Sequence, residues 1–364
     1  MAAAMLSPCV LYLFAYDNEN RPKPGRGWKG RKNVPGNEAT AKRNLTAREI
    51  RQLSRVTAKR TARAHLNRSL PLYALLIPGI VLMIVFHYLP MFGLAIGFEK
   101  YDPFLGSSPM DAILKSPWVG LDNWNKLWGK TAFRRTIGNT FIISGMKVLI
   151  GFPIPILLAL MINEVRNRPL KRTLQTVMYL PHFISWVIVS ALFMNILGVN
   201  GIVNMAISAM GGKTVKFFMD NNWFRWVLLI TSIWKESGWG TIVYLAAITG
   251  IDPELYDAAR IDRANRVQQI WYITLPGIAS TIVMMLILRL GGIMDAGFSQ
   301  IFVMYNSTVY KTGDIIGTYV YREGLGKMNY SQGTIVGMFN SLINMVLLLG
   351  GNLLSRRIAE RSIW

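Results

Sequence analysis

The 364-residue sequence predicts an all-α membrane protein of six transmembrane helices, with both termini in the cytoplasm. Three observations carry the prediction. Hydrophobic residues make up 52% of the chain and charged residues only 16%, against roughly 25% charged in an average soluble domain. So few charges cannot cover a water-exposed surface. Six apolar stretches then reach the ~20 residues that a helix needs to cross ~30 Å of hydrocarbon. Finally, the segments on the side of the termini hold 25 Lys/Arg, whereas the opposite loops hold 11. Positive charge of this kind marks the cytoplasmic side.

Residues 1–69 form a basic, partly disordered cytoplasmic region. The chain carries 40 Lys/Arg and 19 Asp/Glu, and this region alone contains 15 of the former and 4 of the latter. A net charge of +21 invites a nucleic-acid reading, but the remaining basic residues sit mainly in short stretches between apolar runs, so no nucleic-acid partner is expected. Residues 1–16 are apolar, lack a basic n-region and are too short to span, which argues against a signal peptide. Arg21 to Gly36 is rich in Pro, Gly, Lys and Arg and reads as disordered. Thr46 to Glu49 resembles a capping box, and Arg48 to Asn67 reads as a basic juxtamembrane helix against anionic lipid. The single cysteine, Cys9, excludes an internal disulfide.

Residues 70–364 form the transmembrane domain. The predicted spans are Leu70–Phe98, Ile137–Ile162, Leu174–Leu197, Trp223–Ile248, Gly277–Met294 and Gly333–Leu354. Pro78 and Pro90 lie in the first, Pro153 and Pro155 in the second. Proline removes a backbone donor and bends a helix. Bent spans suit a protein that moves and suit a static bundle equally.

Between spans four and five lies a polar insert, Thr249 to Gly277. Asp252 is placed to cap a helix with Pro253 at its first position and Glu254 in its first turn. Leu255, Ala258, Ala259 and Asp262 recur at spacings of three and four and predict a small, apolar face, with Arg260 and Arg263 opposite. Pro276 is expected to stop the pattern before the next crossing. Two readings stay open on the residues alone: a helix that inserts into a groove on a soluble partner, or a solvated inner loop.

The motif series resolves that choice by resemblance. Glu254-Leu-Tyr-Asp-Ala-Ala259, Ile261-Asp262, Ala264 and Ile273-Thr-Leu-Pro276 resemble the EAA loop of ABC-importer permeases. Asn163 to Asn167, Tyr179 to Trp186, Trp234 to Gly240, Tyr101 to Pro103 and Trp118 to Trp124 resemble the polysaccharide and oligosaccharide branch of the maltose-permease-like (MalF-like, type I) family. The resemblance covers about Leu70 to Trp364. It implies the type I importer permease fold and a carbohydrate-translocating subunit of the bacterial cytoplasmic membrane. The coupling loop would be 251–276, with Glu254, Leu255, Tyr256, Asp257, Ala258, Ala259, Asp262 and Arg263 meeting the ATPase. Implied partners are a second permease, two ATP-binding subunits that carry ATP and Mg, an extracytoplasmic solute-binding protein and the oligosaccharide. Two positions depart from the pattern. Asp257 stands where the family usually has Glu, and Arg263 where it usually has Gly. A side chain at positive φ costs on the order of 1 kcal/mol, so either the turn at Arg263 is built differently, which is the expectation, or an arginine contact to the partner absorbs the cost.

No cofactor or metal site is expected on this chain. Gly212-Lys213-Thr214 mimics the end of a phosphate-binding loop, but Ile207 stands where the motif needs glycine. His65, His87 and His182 are isolated in sequence. Lys147, Lys235, Glu236, Arg289 and Asp295 fall in or beside spans, where a charge costs ~2.5–3.5 kcal/mol on insertion scales, so each should face the bundle interior or a wet cavity. For Lys235 and Glu236 a structural salt bridge and a substrate contact are both open. Carbohydrate recognition combines polar groups with flat apolar surfaces. Trp234, Glu236, Trp239, Asn340 and Asn344 are therefore substrate-pathway candidates, with packing at helix interfaces as the alternative. A membrane enzyme would need a clustered acid, base or nucleophile, and none is found. A membrane scaffold would not account for the helical insert.

Overall fold

The computed structural model describes residues 73–359, with side chains through Leu353. The expectations for residues 1–69 lie outside the described residues. The chain divides into two compact units at Phe92/Gly93. The described part of the first is the start of helix α1, Tyr73–Phe98, whose apolar window buries nothing.

In the second unit, α2 (Pro109–Lys115) and α3 (Asp122–Gly129) follow α1 in a short loop. Residues of the Trp118–Trp124 motif hold that loop. Trp118 stacks on Phe98, with centroids 5.6 Å apart, and Asn123 Nδ2 donates to the carbonyls of Gly97 and Glu99 at 3.0 and 2.9 Å. Then come α4 (Thr131–Glu164), α5 (Arg168–Tyr179), α6 (Trp186–Leu197) and α7 (Ile202–Ala209). The long α8 (Asn221–Thr249) leads to α9 (Pro253–Ile261) and α10 (Arg266–Gly291). The chain closes with α11 (Phe298–Met304), α12 (Ile316–Tyr319) and α13 (Tyr330–Ala359).

Five helical segments among the described residues are long and apolar enough to cross a membrane: Tyr73–Phe98, Thr131–Glu164, Trp186–Ala209, Arg266–Gly291 and Tyr330–Leu353. The fourth predicted span, Trp223–Ile248, lies within α8, which has the length, at 29 residues, but carries Lys235 and Glu236 and is less apolar. No apolar window is more than 22% buried, so most of each span presents its side to lipid or to another subunit. Where the helices do meet, packing rather than water exclusion holds them. One cluster joins Ala159 and Ile162 of α4 to Tyr244 and Ile248 of α8 and Ile278 of α10. A second gathers Val189, Phe224, Leu228 and Ile301 around the other end of α8. A third packs Phe133 and Leu127 against Tyr319 and Val336.

Two predicted boundaries are corrected. The apolar stretch Leu174–Leu197 is not one helix: α5 stops at Tyr179, Pro181 sits in a tight turn, and Ser185 caps α6 by accepting from the Ile188 N–H. Conversely, Pro276 does not end a helix. α10 begins at Arg266 and runs through it, eleven residues ahead of the predicted Gly277 start. The reason recurs three times. The widened turns Ile84–Tyr88, Lys147–Gly151 and Ile270–Thr274 end two residues before Pro90, Pro153 and Pro276. An i→i+5 turn leaves room for the proline ring where an α-turn would clash, so the helix bends and continues.

At the end opposite α9, polar side chains sew the segment after α11 to the bundle. Asn139 of α4 donates to the Asp314 carbonyl at 2.9 Å, and Arg225 of α8 donates to Asn139 and to the Thr312 carbonyl at 2.8 and 3.1 Å. Arg322 grips Asp314 through two bonds of 2.9 and 2.7 Å. Those bonds hold its pKa above the usual guanidinium range, although burial acts the other way.

Candidate functional site: the coupling loop and a mid-span cleft

The segment 252–269 is closed by its own hydrogen bonds. Asp252 Oδ1 accepts from the Glu254 N–H at 3.0 Å, and Pro253 takes the first helical position, as the sequence predicts. At the other end the Ala264 N–H reaches the Ala259 carbonyl at 2.9 Å, and the Arg263 N–H reaches Arg260 at 3.1 Å. That pair is a Schellman motif, which requires a left-handed residue at the position of Arg263. Arg263 has φ 58°. The expectation of an altered turn is therefore corrected: the turn a glycine would make is kept, with an arginine in it. Asn265 then opens α10 with a capping box, exchanging bonds of 2.9 and 2.7 Å with Gln268.

α9 presents the predicted face except at Ala259. Leu255, Ala258, Ile261 and Asp262 are exposed, whereas Tyr256 and Ala259 are half-buried against the protein. The two alanines thus diverge. Tyr256 is the anchor, its hydroxyl 2.9 Å from Thr274 Oγ1 in the widened turn of α10. Glu254 and Asp257 are exposed, and Arg260 spans back to Asp257 at 2.8 Å. A polar groove of about 290 Å³ runs between Tyr256, Asp257 and Arg260 on one side and Asn163, Glu164 and Arg166 on the other.

A second cavity, about 180 Å³, lies at mid-span, lined by Lys147, Ser232, Glu236, Trp239, Tyr244 and Arg289 among others. Lys147 sits at the middle of the 34-residue Thr131–Glu164 span. Its Nζ donates to the Ala296 carbonyl at 2.9 Å and to Gln300 Oε1 at 2.5 Å. Gln300 is fully buried and passes the connection on, donating to the Leu228 carbonyl and Thr231 Oγ1, both at 2.7 Å. The Glu236 carboxylate accepts from His182 Nδ1 at 2.9 Å, and the His182 ring stacks flat on Trp239, centroids 4.7 Å apart and 6° from parallel.

Of the five predicted pathway residues, the structure brings only Glu236 and Trp239 to this cleft. Trp234 packs edge-on against Phe193 instead. Asn344 accepts from the Met294 N–H at 3.3 Å, capping a turn, and half-buried Asn340 lies on α13 away from the lining. Lys235 lies 3.9 Å from Glu236 of its own helix rather than bridging to another one. It is buried, and its ammonium donates to the Pro181 and His182 carbonyls, holding the turn before α6. Sequence reasoning missed Gln300 and His182 as partners. Each meets its neighbour across tens to hundreds of residues, and no local spacing signals that. The phosphate-loop mimic is followed by irregular chain up to Asn221 rather than by a helix, so it lacks the helix N-terminus such a loop needs.

With this geometry in hand, three comparisons bear on the chain. The family model described as "Binding-protein-dependent transport system inner membrane component" matches residues 151–360. The polygalacturonan/rhamnogalacturonan transport system permease protein YteP of Bacillus subtilis is 41% identical over 80% of this chain and 90% of its own length. Protein LplB of the same organism is 41% identical over 83% and 93%. Among solved structures, a chain of a bacterial ABC transporter involved in the import of the acidic polysaccharide alginate superposes with TM-score 0.75 at 42% identity, covering 82% of this chain and 99% of that one. A chain of a bacterial alginate ABC transporter solved in complex with an alginate pentasaccharide-bound periplasmic protein superposes equally well, with TM-score 0.75 at 41% identity over 82% of this chain and 99% of that one.

Proposed function

The chain belongs to the family of binding-protein-dependent transport system inner membrane components, and from that premise we propose how it works as one subunit of a larger machine. It is a permease component of a bacterial ABC importer for sugars or polysaccharides, with the type I permease fold, in the cytoplasmic membrane. Its cargo is an oligosaccharide or polysaccharide fragment handed over by an extracytoplasmic solute-binding protein. It pairs with a second permease subunit, and two ATP-binding subunits supply the hydrolysis, ATP and Mg being theirs. The charge distribution places α9 and both termini in the cytoplasm.

The observation that supports this reading best is the hydrogen-bonded closure of segment 252–269 together with two lateral ties, Tyr256 to Thr274 and Arg266 to Glu164 of α4. A segment fixed at both ends by its own caps moves as a unit. The Tyr256 tie falls in the widened turn of α10, where the helix is already bent. A push on exposed Leu255, Ala258, Asp262 and Arg263 therefore reaches a transmembrane helix at its most deformable point. ATP binding can favour one packing of the bundle only if the ATPase holds the two packings with different affinity.

Ala258 is the residue to test, because it is exposed and Ala259 is not. In proteoliposomes holding the complete importer, Ala258→Arg is expected to abolish saccharide-stimulated ATPase activity while the complex still inserts. Stimulation at the wild-type level would overturn coupling through this loop.

A further inference from the structure

The mid-span cleft carries an unbalanced charge. Of its ionisable lining groups, Glu236 is engaged by His182 at 2.9 Å and lies 3.9 Å from Lys235. Lys147 is 7% exposed and holds only neutral acceptors, Ala296 and Gln300. Arg289, from α10, makes no hydrogen bond or ion pair with any described residue. Asp295 is exposed in the turn after α10 and is not part of the lining. Among the described residues the cleft thus offers one guanidinium without a hydrogen bond, backed by the buried ammonium of Lys147, against the single carboxylate of Glu236.

Arg289 is exposed in the last turn of α10, and a guanidinium on a transmembrane helix is costly unless water or something anionic meets it. What visits must also suit the rest of the wall. Trp239 keeps 45% of its surface exposed while one side is braced by the His182 ring, a flat apolar platform of the size of a sugar ring. Ser232 and Ser237 add hydroxyls beside it. A planar cation, an aromatic plate and hydroxyls together describe a uronic-acid unit: carboxylate to the guanidinium, ring face to the indole, ring hydroxyls to serine. Guanidinium meets carboxylate through two parallel bonds, which a neutral sugar cannot supply.

We propose that Arg289 is the specificity-determining residue of the translocation cleft, reading the carboxylate of a uronate-containing oligosaccharide, with Lys147 as a positioning residue that fixes the α4 wall and adds positive field. This inference rests on the importer reading above and deepens it. Lys147 is held at both acceptors and is not free to follow a moving carboxylate, whereas Arg289 is. The alternative source of an anion is an acidic side chain of the second permease, and the test separates the two.

The complete complex of both permeases and the ATPases is purified without nucleotide or binding protein. It is titrated calorimetrically with oligogalacturonate, with oligoalginate, and with the carboxyl-reduced form of each. Wild type is expected to bind at least one uronate probe more tightly than its reduced counterpart. Arg289→Gln should weaken that probe by roughly tenfold or more, the scale of a lost charge-assisted bond, and leave the reduced sugar unchanged. Arg289→Lys should restore part of the difference. Three results overturn the inference: no uronate preference in wild type, an unchanged preference in Arg289→Gln, or loss of the second permease from the Arg289→Gln complex. The importer reading has its own readout. If the assembled complex with its binding protein shows no saccharide-stimulated ATPase activity with any probe, acidic or reduced, that reading fails. If stimulation is intact and the Arg289 series is flat, only the present inference falls.

Discussion

The two functional regions are built by opposite means. The loop at 252–269 is held by bonds between residues two to five apart, from Asp252–Glu254 to Ala264–Ala259. The mid-span cleft is held by bonds that join distant parts of the chain. Lys147 meets Gln300 153 positions away, and His182 meets Glu236 54 positions away. A locally closed element keeps its shape while the bundle around it changes, which suits a part that must be pushed. An element assembled from several helices has no shape of its own, and it changes whenever those helices shift. A shift of the helices can therefore leave the loop intact and remodel the cleft.

Substitutions that break the long-range assembly should accordingly cost more than those in the loop. The largest effect is expected at Gly238. There α8 passes so close to the end of α5 that an added Cβ would stand 1.8 Å from the Met178 carbonyl oxygen. Backbone, not a rotamer, would have to yield. Gly238→Ala should destabilise the purified protein by about 3 kcal/mol or more, read as a fall in Tm in detergent, with lowered yield of folded protein. Next comes Gln300→Leu. It strands the Lys147 ammonium beside a lone carbonyl, and removing one partner of a buried charged contact costs about 3 kcal/mol. The double variant Gln300→Leu with Lys147→Met removes both partners and should recover much of that loss. A double variant no more stable than Gln300→Leu would show that the contact does not hold this wall.

The same contrast explains what was legible in the sequence. Asp252, Pro253 and Glu254 announce a helix start because a cap acts within one turn, and the start is where they place it. The spans follow from apolar length. Their ends were misjudged at Pro181 and Pro276, and for one physical reason: proline's effect depends on its surroundings. Beside a Ser185 cap and the buried Lys235 ammonium the chain turns at Pro181, while a widened turn lets α10 run through Pro276. In the cleft, Glu236 and Trp239 could be suspected as polar and flat groups in an apolar run. Their partners His182, Lys147 and Arg289 could not be assigned, since they come from other helices. Asn344 shares its helix face with Asn340 and looked like a pathway residue. Its carbonyl is in fact occupied by the Met294 N–H, a contact invisible without the fold.

Within the loop the expected effects are smaller and more specific. Tyr256→Phe deletes the hydroxyl that meets Thr274 and nothing else. The loss of one partly buried neutral bond should lower stability by only about 1 kcal/mol. Stimulated ATPase activity should fall further than that loss implies, because this is the loop's lateral tie to α10. Thr274→Val, which removes the other partner, should behave alike, and the two together should add little to either one. Full additivity in ATPase stimulation would mean that force passes by another contact.

The smallest change is the one the sequence made conspicuous. Arg263 occupies a left-handed position at φ 58° with the Schellman bonds intact. An L-residue there costs roughly 1–2 kcal/mol of backbone energy, while glycine forfeits about 0.5–1 kcal/mol of unfolded-chain entropy. Arg263→Gly should therefore stabilise the protein slightly, by roughly 0.5 kcal/mol, a shift near the limit of a Tm measurement. Its effect on coupling discriminates more sharply. Arg263 is exposed beside Asp262, just past the end of α9. If the guanidinium contacts the ATPase, the glycine variant becomes more stable yet hydrolyses ATP less responsively to saccharide, and Arg263→Lys keeps most of the response. If it only fills the turn, stability rises and stimulation stays where it was. The strain at this one residue would then be a tolerated departure rather than a retained contact, and the loop's work would rest on Leu255 and Ala258.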